Sequence, residues 1–135
     1  MKFHVGETVT SLTFDKFRPG VILALNEALG TAIVAIGTTK NGHDPRDCRT
    51  YVEAGSSEAK QMSLHRTTCF RSTKIAEFKL EDLEQVARKS RCPRPLFAQL
   101  HAMMPRAMAE ALRKPGYQRT LPPPDATERR GHDRA

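Results

Sequence analysis

The linker Asn26-Glu27-Ala28-Leu29-Gly30 constrains this chain more than any other segment, because of what it joins. Before it runs Arg18-Pro19-Gly20-Val21-Ile22-Leu23-Ala24-Leu25, and after it Thr31-Ala32-Ile33-Val34-Ala35-Ile36-Gly37-Thr38-Thr39-Lys40. Both are short apolar runs rich in β-branched residues, and a turn-forming linker between two such runs specifies a β-hairpin. A turn centred on Ala28 makes the numbers of facing residues total 56, which sets Arg18 opposite Thr38. Facing residues of an antiparallel pair share one side of the sheet, about 5 Å apart. A guanidinium then stands beside a Thr-Thr-Lys cluster at the open end of the hairpin, where the donors converge as a phosphate requires. A slip of one residue would dismantle the arrangement.

Further strands are expected at Val5–Phe14, Arg49–Glu53, Met62–Phe70 and Thr73–Phe78. Asp15-Lys16-Phe17 is a tight link, and 41–47 and Gly55–Glu58 are loops rich in turn formers. About six short strands in roughly 75 residues predict a small, strongly bent sheet or barrel. Leu80, Leu83, Val86 and Ala87 then recur at helical spacing, with acids early and bases late, so a helix is expected there. A second should run from about Leu96 to Lys114, with Phe97, Leu100, Met104, Met108 and Ala111 as a stripe and Pro105 kinking or splitting it. The methionines (Met103, Met104, Met108) read most simply as core packing. The expected organisation is a barrel with its packing helix over 1–90, a helical extension over 91–114 and a disordered basic tail over 115–135.

A net charge of +7 and a pI near 9.7 favour polyanionic or acidic partners. With 6% aromatic residues and no Trp, a broad stacking platform for bases is not expected. Cys48, Cys69 and Cys92 are odd in number and widely spaced, so they read as neither a disulfide framework nor a zinc site. Cys69 acting as a thiol nucleophile with His65 is a poor reading, because four residues along one strand separate the pair by about 13 Å. No apolar run approaches the roughly 18 residues of a membrane span, and no signal-peptide pattern opens the chain. A cytoplasmic protein is the expectation.

In sequence order the chain presents Gly6-Glu7-x-Val9, then Arg18-Pro19 opening an apolar strand, then Thr38-Thr39-Lys40 closing the next. Leu64 follows, with the basic, hydroxyl-bearing stretch His65-Arg66-Thr67, and then Ile75. This order resembles the PemK/MazF family of toxins from bacterial toxin–antitoxin systems, over roughly residues 5–88. The resemblance implies an SH3-like barrel, mainly β with C-terminal helices, usually a homodimer. It implies an endoribonuclease that cuts single-stranded RNA through 2′-hydroxyl attack, needs neither metal nor cofactor, and is restrained by a cognate antitoxin protein. In that family the strand-opening arginine and the threonine after the next strand form the catalytic pair, which here are Arg18 and Thr38. Lys16, Thr39, Lys40, His65, Arg66, Thr67 and Arg71 are the candidates for holding the RNA.

The chain also departs from the family pattern. The link between the first two strands is only about Asp15-Lys16-Phe17, the Leu-x-x-Pro-Ser stretch stands here as Leu64-His65-Arg66-Thr67-Thr68 without its proline, and 91–113 is additional. These departures keep an alternative open: a catalytically inactive module on the same barrel that binds nucleic acid or a protein partner.

Overall fold

The structure is a computed structural model and describes residues 3–11, 13, 18–38, 50–87 and 90–122. Six strands form one antiparallel sheet: β1 (Thr8–Ser11), β2 (Gly20–Asn26), β3 (Thr31–Thr38), β4 (Thr50–Val52), β5 (Thr68–Lys79) and β6 (Leu83–Gln85), in the order β4-β5-β3-β2-β1-β6. A short helix α1 (Ser57–Gln61) precedes β5, and α2 (Arg94–Ala102) and α3 (Arg106–Ala111) follow β6. The expected class, mainly β with helices after the sheet, is what the chain adopts.

The apolar runs that open the sequence form the centre. Every residue of β2 is buried, and so is every residue of β3 after Thr31. Strands covered on both faces lose the in–out alternation of a half-exposed strand, which explains their continuous apolar composition. The hairpin turn Glu27–Gly30 is closed by Asn26 Oδ1, which accepts the Leu29 amide at 3.1 Å. Gly30 supplies the positive φ of +69° that the turn needs.

The Gly-Glu-x-Val segment seals one corner. Gly6, at φ +89°, donates its amide to the Ile22 carbonyl at 2.7 Å. Leu121 packs so closely over Gly6 that a Cβ there would lie 2.2 Å from Leu121 Cδ2. The buried Glu7 carboxylate accepts from Gln85 Nε2 at 2.6 Å and from the His4 amide at 3.1 Å. Val9 is fully buried. In this corner the motif serves packing.

Several expectations are corrected. The helix expected from Leu80 is a 3-10 turn, Leu80–Asp82, followed by β6. β6 pairs with β1 through Ser11↔Leu83, Thr10↔Glu84 and Val9↔Gln85. Pairing the open edge of β1 outweighs a helical pattern only a few residues long. The barrel therefore has no packing helix of its own over that stretch. Gly55–Glu58 is not loop throughout, because Ser56 caps α1 by accepting the Ala59 amide. Residues 62–67 are not strand: the Leu64 amide donates to the Ala59 carbonyl and Ser63 takes a φ of +57°. The first strand is shorter than expected, and Val5 lies outside it.

The Pro105 break occurs as expected, with α2 ending at Ala102 and α3 starting at Arg106. Leu96, Phe97 and Leu100 are buried, and Met103, Met104 and Met108 pack against the core. Thr50 Oγ1 donates to Met103 Sδ at 3.0 Å, which ties the end of α2 to β4. Residues 115–122, expected as the start of a disordered tail, lie against the barrel instead. Gln118 and Leu25 exchange backbone hydrogen bonds of 2.7 and 2.9 Å along the part of β2 that β1 does not cover. Tyr117 Oη donates to Glu77 Oε2 at 3.1 Å. Residues 123–135 lie outside the described residues.

His101 on α2 is partly buried beside Phe97, and desolvation holds its pKa below the ordinary 6.5. A nearby Leu23 backbone group opposes the shift and the Arg119 charge adds to it. The unfolded chain therefore takes up a proton at higher pH than the folded one. Stability from this residue should be complete above pH 6.5 and fall as the pH drops below it. Urea melts from pH 7.5 down to pH 5 should show that decline, and His101→Gln should flatten it.

Candidate nucleic-acid interface

The site is built at the open end of the β2–β3 hairpin. Near the turn the strands pair as Asn26↔Thr31 and Ala24↔Ile33, so facing numbers total 57 there. An irregularity between Ile22 and Ala24 shifts the register by one, and the mouth pairs as Ile22↔Val34, Val21↔Ala35 and Gly20↔Ile36, totalling 56. The Gly37 amide donates to the Pro19 carbonyl at 2.7 Å and carries that register outward. Continued one more residue, it brings Arg18 level with Thr38. Pro19 has no N–H to return a bond to Gly37, so this step of the ladder carries a single hydrogen bond, which suits a residue just before the strand begins.

Arg18 is exposed, whereas Thr38 is only 8% exposed. Across its other edge Thr38 faces Cys69 on β5. The close approach of β5 depends on Gly37: a Cβ there would stand 2.3 Å from Thr68 Cγ2 and 3.1 and 3.2 Å from the Phe70 ring. Only a residue without a side chain lets β5 close on β3 at this point.

β5 is irregular at the same level. Gly37 pairs with Phe70 and Ala35 with Ile75, so Arg71, Ser72, Thr73 and Lys74 stand opposite the single residue Ile36. Three extra residues bow the strand outward, and Ser72, Thr73 and Lys74 are exposed. Sequence reasoning did not single out these three. Their signal was present, since this polar, basic run breaks the apolar pattern of the strand.

His65 and Arg66 are exposed just before β5 begins. Thr67 Oγ1 accepts the Ala54 amide at 3.1 Å, so this hydroxyl also braces the connection from β4 to α1. Thr68 Oγ1 donates to the Arg66 carbonyl at 2.9 Å and fixes the entry to the strand. The fold thus gathers Arg18, Thr38, His65, Arg66, Thr67 and Arg71 around one end of the sheet, with Ser72–Lys74 added. Lys16, Thr39 and Lys40 lie outside the described residues.

The reading of the cysteines is corrected here. Cys69 is disulfide-bonded, and Cys92 is a free, buried thiol. Spacing in sequence carried no sign of this, because the fold and not the interval decides which sulfurs meet. A sulfur held in a disulfide is no thiolate, which removes Cys69 as a nucleophile. Burial pushes the Cys92 pKa up to about 12, so that thiol is inert as well.

Among solved structures, the chain is similar to a chain of the MazE–MazF complex from Deinococcus radiodurans. The match has a TM-score of 0.53 at 13% identity and covers 76% of this chain and 93% of that one. The fold is MazF-like. No protein-family model matches the sequence, and no curated protein does. Among the described residues, no helix is long and apolar enough to cross a membrane.

Proposed function

We propose that this chain is a MazF-like toxin, a metal-independent endoribonuclease that cuts single-stranded RNA and is held in check by an antitoxin protein. The observation that carries the reading is the hairpin mouth. Its register sets an exposed arginine level with Thr38, on a fold similar to that of a chain crystallised as MazE–MazF. A homodimer and a cytoplasmic location belong to the same proposal.

The chemistry suits those groups. The 2′-hydroxyl oxygen bonds to phosphorus while the P–O5′ bond breaks, and the hydroxyl proton ends on the departing 5′ oxygen. The products are a 2′,3′-cyclic phosphate and a 5′-hydroxyl. In between, phosphorus carries five oxygens and extra negative charge. Arg18 supplies two parallel N–H donors matched to phosphate oxygens. The hydroxyl of Thr38 and backbone N–H groups of the mouth complete the set. Donors fixed before the reaction are worth the most where charge develops. His65, Arg66, Thr67 and Arg71, with Lys16, Thr39 and Lys40, hold the flanking phosphates, and their contribution weakens as salt rises. The antitoxin's role is to cover this cationic mouth.

The burial of Thr38 favours a second reading, in which the barrel binds nucleic acid or a protein without cutting. One experiment separates the two. Purified protein incubated with single-stranded RNA in EDTA should yield fragments ending in 2′,3′-cyclic phosphate. Intact RNA that is nonetheless bound, in a salt-sensitive manner, would select the non-cleaving module.

A further inference from the structure

On the far side of β5 from the hairpin mouth, a groove of about 420 Å³ lies between β4, α1 and the start of α2. Among the described residues, Tyr51, Pro93, Pro95 and Leu96 line it with apolar surface, and Glu53 and Glu58 bring two carboxylates to it. We infer that this groove is a docking site for an arginine side chain presented by a segment of a partner protein.

Charge is the first ground. Glu53 and Glu58 are exposed, and among the described residues neither carboxylate is in an ion pair or a hydrogen bond. The chain has 22 basic residues against 15 acidic ones, and still leaves these two without a cation of its own. A cation from outside completes them. A guanidinium suits the task better than an ammonium, because its five donors spread in a planar fork that serves carboxylates in pairs.

Tyr51 is the second ground. It is 55% exposed, whereas its neighbours on β4, Thr50 and Val52, are 2% and 3% exposed, so its ring is turned outward along the groove. The face of an exposed tyrosine beside carboxylates is a stacking surface for a guanidinium. At about 420 Å³ the groove is larger than one arginine side chain. Pro93, Pro95 and Leu96 offer the remaining wall to apolar residues flanking the arginine, which a polypeptide supplies and the free amino acid does not.

The third ground is that the walls are already fixed. Ser56 stands between the two glutamates in sequence, and its Oγ donates to the Glu53 carbonyl at 2.7 Å and accepts the Ala59 amide at 3.2 Å. Thr67 Oγ1 accepts the next amide, that of Ala54, at 3.1 Å. These bonds hold the backbone that carries both carboxylates and use neither carboxylate. Opposite them, Leu96 and Leu100 are buried and Thr50 Oγ1 ties Met103 to β4, which anchors the α2 wall. A site held in place before binding loses little entropy on capture. This inference stands independently of the nuclease proposal.

The test is a titration of the full chain, labelled with ¹⁵N, with the peptide acetyl-Pro-Arg-Pro-amide. The amides of Glu53, Ser56 and Gln99 should shift together toward saturation, with a dissociation constant on the order of 1 mM, while those of Thr31 and Lys79 stay in place. The citrulline peptide, which keeps the shape and loses the charge, and free arginine should each bind about tenfold more weakly or worse. E53Q/E58Q should weaken the arginine peptide by about tenfold or more at an unchanged denaturation midpoint, since neither carboxylate supports the fold, and Tyr51→Ala should weaken it about fivefold. Groove amides that do not respond to the arginine peptide overturn the inference. So do equal affinities for the citrulline peptide or for free arginine, and so does an E53Q/E58Q variant that binds like the wild type.

Discussion

Arg18→Ala should cut RNA cleavage by roughly 10²- to 10³-fold, the loss expected when one prearranged donor is taken from a developing oxyanion. The change should leave the fold almost untouched, because Arg18 is exposed and lies before the first buried residues of β2. Its denaturation midpoint should match that of the wild type. Arg18→Lys should recover only part of the rate, since an ammonium keeps the charge and loses the paired, planar donors. RNA affinity measured apart from cleavage should fall far less than the rate does, for several cations share the flanking phosphates. Gel-resolved single-turnover cleavage in EDTA, run alongside filter binding, reads both quantities. Full activity in Arg18→Ala would remove the hairpin mouth as the reaction centre.

Phe70→Ala should cost about 3–5 kcal/mol, the range for truncating a fully buried aromatic. Phe70 is 0% exposed, pairs with Gly37 on one side and Thr50 on the other, and is the last regular residue of β5 before the bow. Its ring fills the space that Gly37 leaves open. Truncation therefore hollows out the junction of β3, β4 and β5 directly behind Thr38. Against the 5–15 kcal/mol that typically holds a domain of this kind folded, the loss is a large share. Urea unfolding followed by circular dichroism should show a lower midpoint at unchanged slope. Phe70→Leu should cost less, because it refills part of the volume. A loss below 1 kcal/mol would mean that this junction is not packed as described.

Much of the fold could be read from the residues because burial left its mark on them. Two unbroken apolar runs around Asn26–Gly30 could satisfy their backbones and hide their side chains only as central strands. The register at the mouth was legible for an incomplete reason. The turn is centred half a residue later than Ala28, and the irregularity between Ile22 and Ala24 restores the expected pairing. Elsewhere, tertiary demand overrode local pattern. Leu80, Leu83 and Val86 look helical in isolation, but the edge of β1 needed a partner and took Leu83–Gln85. Residues 115–122 look like tail, yet the uncovered part of β2 recruits Gln118. For the candidate site, Arg18, Thr38 and the His65–Thr67 stretch were legible as residue types in order, and their role remains the proposal above. The bow at Arg71–Lys74 showed only as a polar, basic run breaking the apolar pattern, because the insertion itself is defined by the opposite strand.

The backbone clasp between Gln118 and Leu25 has a bearing on how the molecule comes into being. During synthesis the hairpin emerges long before the strip that will border it, so its flank stays bare while all the intervening elements are made. Closing that flank spans most of the polypeptide, a contact of the kind that slows folding. Completion of the barrel therefore waits for the last of these elements to be made.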